Sequence, residues 1–141
     1  MRNPSAALDA LRIVTAAGVL LSASVHQVLY AQGYSDISVI GPLFLVNAVS
    51  GLVLGLSMLI WRHWLPAFLS AAFGAVTAAA YWVSVVYGLF GVKEVTGGWA
   101  VILAESGEYV AVVGGLVVAG MLLRRRPARK APRPEQVRVA R

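Results

Sequence analysis

The chain has 141 residues, of which 59% are hydrophobic and 13% are charged, and its mean hydropathy is +0.76. This composition excludes an ordinary soluble domain and predicts a protein whose helices lie in a membrane. Because the sequence has no cysteine, disulfides, thiolate catalysis and cysteine-ligated metal are excluded as well. The net charge of +6 belongs mostly to the C-terminal end of the sequence.

Four apolar segments are long enough to cross a membrane. A bilayer core about 30 Å thick requires roughly 20 apolar residues in one helix, and such segments occupy residues 11–30, 40–61, 64–90 and 99–123. We therefore predict an all-α membrane protein with one antiparallel bundle of four transmembrane helices over residues 1–123. Residues 124–141 are basic and rich in proline, and they are predicted to be disordered. The connection FGVKEVTGGW contains a Gly-Gly pair and is predicted to be flexible.

Lysine and arginine are distributed unequally between the two sides of the predicted bundle. Eleven of the 12 fall at the chain ends or in the connection at Arg62, and Lys93 is the one on the other side. The positive-inside rule then predicts a multi-pass plasma-membrane protein with both termini in the cytoplasm. The basic segment is expected to contact anionic lipid through Arg124, Arg125, Arg126, Arg129 and Lys130. It lacks the interleaved aromatic residues of a nucleic-acid site, so no nucleic-acid partner is predicted.

Small and polar residues recur at helical spacing along each span. Such faces are formed by Thr15, Ser22, His26 and Tyr30 in the first span and by Ser70, Gly74, Thr77, Tyr81, Ser84 and Gly88 in the third. In lipid, helices associate through small residues that permit close approach and through polar groups that bond across the interface. These faces are therefore predicted to turn inward. Short connections predict that consecutive helices are neighbours.

Five polar residues are expected at a similar depth in the bundle. At a rise of about 1.5 Å per residue, His26, Glu105 and Glu108 fall in the same half of the membrane. Asn47 and Tyr81 fall in that half too, which is the outer half in the orientation given above. An ionisable side chain at such a depth requires a partner or water. The sequence therefore predicts one polar site that contains His26, Asn47, Tyr81, Glu105 and Glu108.

Glu105 and Glu108 are three residues apart, so their carboxylates share a helix face and repel each other when both are ionised. Three arrangements avoid this repulsion: the pair shares a proton, it is offset by a charged His26, or it encloses a single cation together with His26. The ligand types suit a hard metal ion, although their spacing is a weak indication of one. No other cofactor is predicted.

Three functions fit these features. Carboxylate and imidazole groups in a bundle interior favour a small transport element, or one that couples to protons or cations. The alternative is a non-catalytic accessory or scaffold protein, whose polar core only fixes helix packing and whose basic segment binds lipid or a partner. An enzyme comes third, because no catalytic residue is found. Contact with a second copy of the chain or with another membrane subunit is also expected.

Two stretches carry a resemblance to a known group of proteins. SVHQVLYAQGYSD, residues 24–36, and IGPLFLVNAVSGLVLG, residues 40–55, resemble segments of small, uncharacterised four-helix integral membrane proteins of actinobacterial type. The resemblance covers the four spans and implies a four-helix membrane fold. It implies no activity and no functional residue.

Overall fold

A computed structural model describes residues 4–125, which form four antiparallel helices. α1 is Pro4–Ala31, α2 is Ile40–Ile60, α3 is Trp64–Tyr87 and α4 is Trp99–Arg124, with a short 3₁₀ turn at Tyr34–Asp36. Each of the four helices is long and apolar enough to cross a membrane. Large apolar side chains such as Ile60 and Val113 are exposed on the outside of the bundle, where a membrane protein meets lipid. The predicted all-α, four-helix membrane fold is confirmed.

The helix bounds differ from the predicted spans mainly in α1 and α3. α1 begins at Pro4 rather than at residue 11, because proline suits the first turn of a helix and apolar length alone does not show that turn. α3 ends at Tyr87 rather than at residue 90, because Gly88 has a φ of 82°, a left-handed conformation that ends helices.

The predicted basic tail begins at the end of α4. Arg124 is the last residue of α4, Arg125 is its C-cap, and both are exposed. Arg126, Arg129 and Lys130 lie outside the described residues. Disorder and lipid contact in that segment therefore stay predictions.

The helices pack in the spatial order α2, α1, α4, α3. α1 lies along both α2 and α4, and α3 lies along α4. The turn between α2 and α3 is short, running from Ile60 to Trp64, yet these two helices contact each other sparsely. α2 and α3 are joined at only a few points, among them Phe73 packed on Gly51 and the side chains of Asn47 and Thr77, and residues of both helices line a cavity.

Glycines bring α4 into backbone contact with α1 and α3. A Cβ atom on Gly107 would lie 2.5 Å from the carbonyl oxygen of Gly18, and one on Gly18 would lie 2.9 Å from that of Gly107. A Cβ atom on Gly74 of α3 would lie 2.5 Å from the carbonyl oxygen of Glu108. Small residues thus allow helix approach that larger side chains would prevent. These contacts fix the segment of α4 that carries Glu105 and Glu108.

Both ends of the described chain and the turn between α2 and α3 lie at one end of the bundle, named here the Arg62 end. Arg12 is only 6% exposed there, and its Nη2 donates to the carbonyl oxygen of Met58 at 2.6 Å. That carbonyl belongs to the last turn of α2, where helical carbonyls lack partners within their own helix. Asp9 forms ion pairs with both Arg12 and Arg62. These contacts tie α1 to the C-terminal end of α2.

The opposite end of the bundle, named here the Tyr34 end, is closed by the other two connections. Tyr34 donates to Oε1 of Glu94 at 2.9 Å. Ser84 donates to the carbonyl oxygen of Val92 and accepts from the amide of Glu94. The connection predicted to be flexible is therefore held by side-chain hydrogen bonds. Burial, followed by the bond to Glu94, raises the pKa of Tyr34 to about 12.

Candidate functional site

A cavity of about 770 Å³ lies between α2 and α3 and is also lined by α1 and α4. The residues predicted to form the polar site all line it: His26, Asn47, Tyr81, Glu105 and Glu108. Its side walls are largely apolar and include Val46 of α2 and Val76 of α3, which are both exposed on the outside of the bundle. Because these two valines are exposed, the cavity opens sideways between α2 and α3, beside the bond that joins Asn47 to Thr77, toward the region that lipid occupies around a membrane bundle.

Glu105 and Glu108 form the acidic part of the cavity wall. Glu108 is 1% exposed and Glu105 is 9% exposed. Their carboxyl groups interact with each other, as the three-residue spacing on α4 predicts. Each carboxyl keeps one oxygen, Oε2, that has no hydrogen-bond partner within residues 4–125. Two buried carboxylates in contact repel strongly when both are charged, so the geometry favours one proton shared by the pair.

Ser22 of α1 is the direct partner of Glu108. Its hydroxyl donates to Oε1 of Glu108 at 2.9 Å, and both residues are buried. Sequence reasoning placed Ser22 on the inward face of α1 but did not include it in the site. The available indication was its position one helical turn before His26 on that same face.

His26 lies beside the glutamate pair without binding it. Its Nδ1 lies 2.9 Å from the backbone carbonyl oxygen of Ser22, and because a carbonyl only accepts, Nδ1 is the donor. The imidazole ring packs against Phe44, with 4.9 Å between the ring centroids. In the described part of the chain no ion pair joins His26 to Glu105 or Glu108. The predicted pairing of a charged His26 with the carboxylates is therefore not formed.

Ser22 contacts His26 and Glu108 through different atoms. Its hydroxyl binds Glu108, whereas its backbone carbonyl binds His26. A carbonyl oxygen accepts a hydrogen bond and has no proton of its own to pass on. These contacts therefore do not form a proton wire from His26 to Glu108.

Asn47 and Tyr81 lie on other walls of the cavity. Asn47 donates to the hydroxyl of Thr77 at 2.9 Å, a bond that joins α2 to α3. Its Oδ1 has no hydrogen-bond partner within residues 4–125. The hydroxyl of Tyr81 lies 3.4 Å from the carbonyl oxygen of Val95. Neither residue is hydrogen-bonded to the glutamates, so the single predicted network is divided into separate groups around one cavity.

Two aromatic residues, Tyr109 and Trp82, connect the glutamate pair to the surface of the bundle. Tyr109 interacts with Glu105, and Trp82 of α3 donates through Nε1 to the hydroxyl of Tyr109 at 3.0 Å. Tyr109 is 48% exposed. Sequence reasoning missed both residues, although Tyr109 stands four residues after Glu105, a spacing at which side chains on a helix meet.

No arrangement for a metal ion is formed by the described residues. Within residues 4–125, no group of three or more histidine, aspartate or glutamate side chains is placed to hold one. The expected alternative of a single cation enclosed by His26, Glu105 and Glu108 therefore gains no support from this geometry when the cation is a metal.

Comparison with known proteins does not assign the chain to a family. No protein-family model, curated protein or solved structure matches the chain. The resemblance to four-helix proteins of actinobacterial type therefore stays a prediction, and the functional proposals below rest on the geometry of the site.

Proposed function

We propose that this protein is a small transport element that couples to protons, with Glu105 and Glu108 together holding and releasing one proton. A single observation carries the proposal. Two buried carboxyl groups in contact with each other line a large cavity, and each has an oxygen without a hydrogen-bond partner within residues 4–125. Ionisable groups inside membrane bundles are costly and usually mark ion or proton pathways.

The neighbours of the pair support a state with one shared proton. Ser22 donates to Glu108, and Tyr109 interacts with Glu105, so each carboxyl group has a hydroxyl beside it. Hydrogen bonds of this kind stabilise a single negative charge that is distributed over the pair. Loss of the shared proton leaves two adjacent carboxylates, which favours the uptake of a proton or another cation from the cavity.

We place the bundle in the plasma membrane with its Arg62 end in the cytoplasm. Support comes from the positive-inside rule, since Arg62, Arg124 and Arg125 lie at that end and Lys93 lies at the other. In this orientation the polar part of the cavity is in the outer half of the membrane. Arg124 and Arg125, at the end of α4, then lie on the side of the anionic inner leaflet.

A scaffold is the second candidate, and the hydrogen bonds between helices favour it. The bond from Ser22 to Glu108 joins α1 to α4, and the bond from Asn47 to Thr77 joins α2 to α3. Fully structural networks of this type fix which helices meet. In a scaffold the carboxyl pair exchanges no proton, and a partner is bound elsewhere on the chain.

A liposome assay separates the two candidates. The purified protein is reconstituted in liposomes with a pH gradient, with charge balanced by potassium and valinomycin, and proton flux is followed with an internal dye. Glu105→Gln and Glu108→Gln keep the size of the side chain but remove the exchangeable proton. We expect flux in the wild type, and we expect both variants to reduce it to the level of protein-free liposomes.

Asp36→Asn is the matched control, because it removes an exposed carboxyl group in the 3₁₀ turn, away from the pair. This control is expected to keep the flux of the wild type. If the wild type carries no flux and both glutamine variants are less stable in detergent, the scaffold is supported and the transport proposal is wrong.

A further inference from the structure

The cavity has a surplus of negative charge. Three carboxyl groups line it, those of Glu94, Glu105 and Glu108, and no lysine or arginine of the described residues does. The other titratable residues on its wall are His26, Tyr34 and Tyr81. Since α2 contributes only uncharged side chains to the wall, a cation in this cavity meets no positive charge from α2, α3 or α4.

The same wall has a surplus of hydrogen-bond acceptors. Three side-chain oxygens on it accept from no other residue within residues 4–125: Oδ1 of Asn47, Oε2 of Glu105 and Oε2 of Glu108, of which the last two have only the proton that the pair shares. The two glutamates are each at least nine-tenths buried. A buried acceptor without a donor carries a free-energy cost, which a donor that reaches it removes. A ligand matched to this wall therefore carries several N–H donors and a positive charge, because charged donors bind carboxylates most strongly.

The rest of the cavity wall is apolar and suits the hydrocarbon part of a ligand. Val46, Phe73 and Val76 lie on the walls that α2 and α3 contribute, and Phe44 packs beside His26. A cavity of about 770 Å³ has the size of sites that hold small organic molecules. Its sideways opening admits molecules that partition into lipid, and the aromatic rings add an attraction for a cation. Such apolar walls make no favourable contact with a hydrated inorganic cation.

We propose that the cavity binds a lipophilic amine in its protonated form. The ammonium N–H groups donate to the carboxyl oxygens of Glu105 and Glu108, and the hydrocarbon body lies between α2 and α3. This inference rests on the proposed function, because the ammonium ion takes the place of the shared proton. The pair with one proton has a single negative charge. When the ammonium ion binds, that proton leaves and the pair carries two negative charges, so binding one amine releases one proton.

Three probes with the same hydrocarbon body test the proposal on the full-length wild-type protein in detergent: 4-phenylbutylamine, its N,N,N-trimethylammonium derivative and 4-phenylbutanol. Isothermal titration calorimetry in two buffers of different ionisation enthalpy gives both the affinity and the protons released. We expect the amine to bind with release of about one proton per chain to the solution, because one ammonium ion replaces one proton at the pair. The quaternary cation, which has no N–H, is expected to bind about tenfold more weakly or worse, and the uncharged alcohol more weakly still.

Substitutions of Glu105 and Glu108 test whether this pair is the amine-binding site. Glu108→Gln is expected to abolish proton release and to weaken amine binding at least about tenfold, and Glu105→Gln serves as a second variant of the same pair. Ser106→Ala, an exposed residue between them on α4, is the matched control and is expected to bind like the wild type. Circular dichroism of each variant shows whether the helices are intact. Because the three probes are compared on the wild type, the test does not depend on any one variant folding.

Two results would overturn the proposal: equal binding of all three probes, or amine binding that releases no proton and is unchanged in Glu108→Gln. The first result means that the cavity takes apolar molecules without regard to charge. The flux and binding experiments together distinguish the two proposals. If proton flux depends on the pair but the amine does not bind, the proposed function stands and only the ligand class is wrong. If neither flux nor amine binding is seen, both proposals are wrong.

Discussion

Replacing Gly107 with alanine is expected to destabilise the bundle by about 3 kcal/mol, the upper part of the range for overpacked interiors. The added Cβ atom would lie 2.5 Å from the carbonyl oxygen of Gly18 and 3.2 Å from the backbone nitrogen of Ser22. Both contacts are to backbone, so relief requires α1 and α4 to separate. The free energy of unfolding, measured by SDS titration in mixed micelles, reports this loss.

Separation of α1 from α4 also affects the site, since the bond from Ser22 to Glu108 crosses this interface. Gly120→Ala is the matched control on the same helix, because a Cβ atom at Gly120 would meet nothing within 4 Å. Alanine has a higher helix propensity than glycine, by about 1 kcal/mol, so this control is expected to be neutral or slightly stabilising. Equal effects of the two substitutions would contradict the close contact of α1 and α4.

Arg12→Met is expected to lower the free energy of unfolding by about 2 kcal/mol, the typical value for a lost hydrogen bond to a charged group. Methionine retains much of the length of the side chain but leaves the carbonyl oxygen of Met58 without the donor it has at 2.6 Å. That carbonyl belongs to Met58, which is 1% exposed and lies in the last turn of α2, where helical carbonyls lack partners within their own helix. The same SDS titration measures the change.

Arg62→Met removes one positive charge from the same end of the bundle and so serves as the control for charge and topology. Arg62 is exposed, and its ion pair with Asp9 is of the surface type, which contributes roughly 0 to 1 kcal/mol. We expect a small effect. If the two arginine variants were equally stable, Arg12 would act through its charge alone and its hydrogen bond to the carbonyl oxygen of Met58 would have no measurable role.

The number of helices and the residues around the cavity followed from simple patterns in the sequence. Apolar length predicts four spans, and the rise per residue places His26, Glu105 and Glu108 at a similar depth. Helical periodicity also predicts the inward faces. These rules work because depth and helix face depend only on position along a regular helix.

The partners of those residues did not follow from the sequence. Spacing shows which side chains share a face, but it does not show which two faces meet or how far apart they are. That is fixed by pairs such as Gly18 and Gly107, where two backbones come into contact. The result is that Ser22, rather than His26, binds Glu108. The short turn between α2 and α3 likewise does not indicate how sparsely these two helices contact each other.

Arg12 shows the same limit at the other end of the bundle. The positive-inside rule counts it only as a charge near the start of a span. In the structure it is buried and binds carbonyl oxygens of α2. A rule based on residue type does not distinguish a solvated charge from a structural donor.

Infrared spectroscopy tests the shared proton of Glu105 and Glu108 most directly. At neutral pH, the purified wild-type protein is expected to show the C=O stretching band of a protonated carboxyl group, and this band shifts when the protein is transferred to D₂O. The double variant Glu105→Gln and Glu108→Gln is expected to lack the band, whereas Asp36→Asn keeps it. A wild-type spectrum without a protonated carboxyl, or a band that persists in the double variant, would contradict the shared proton.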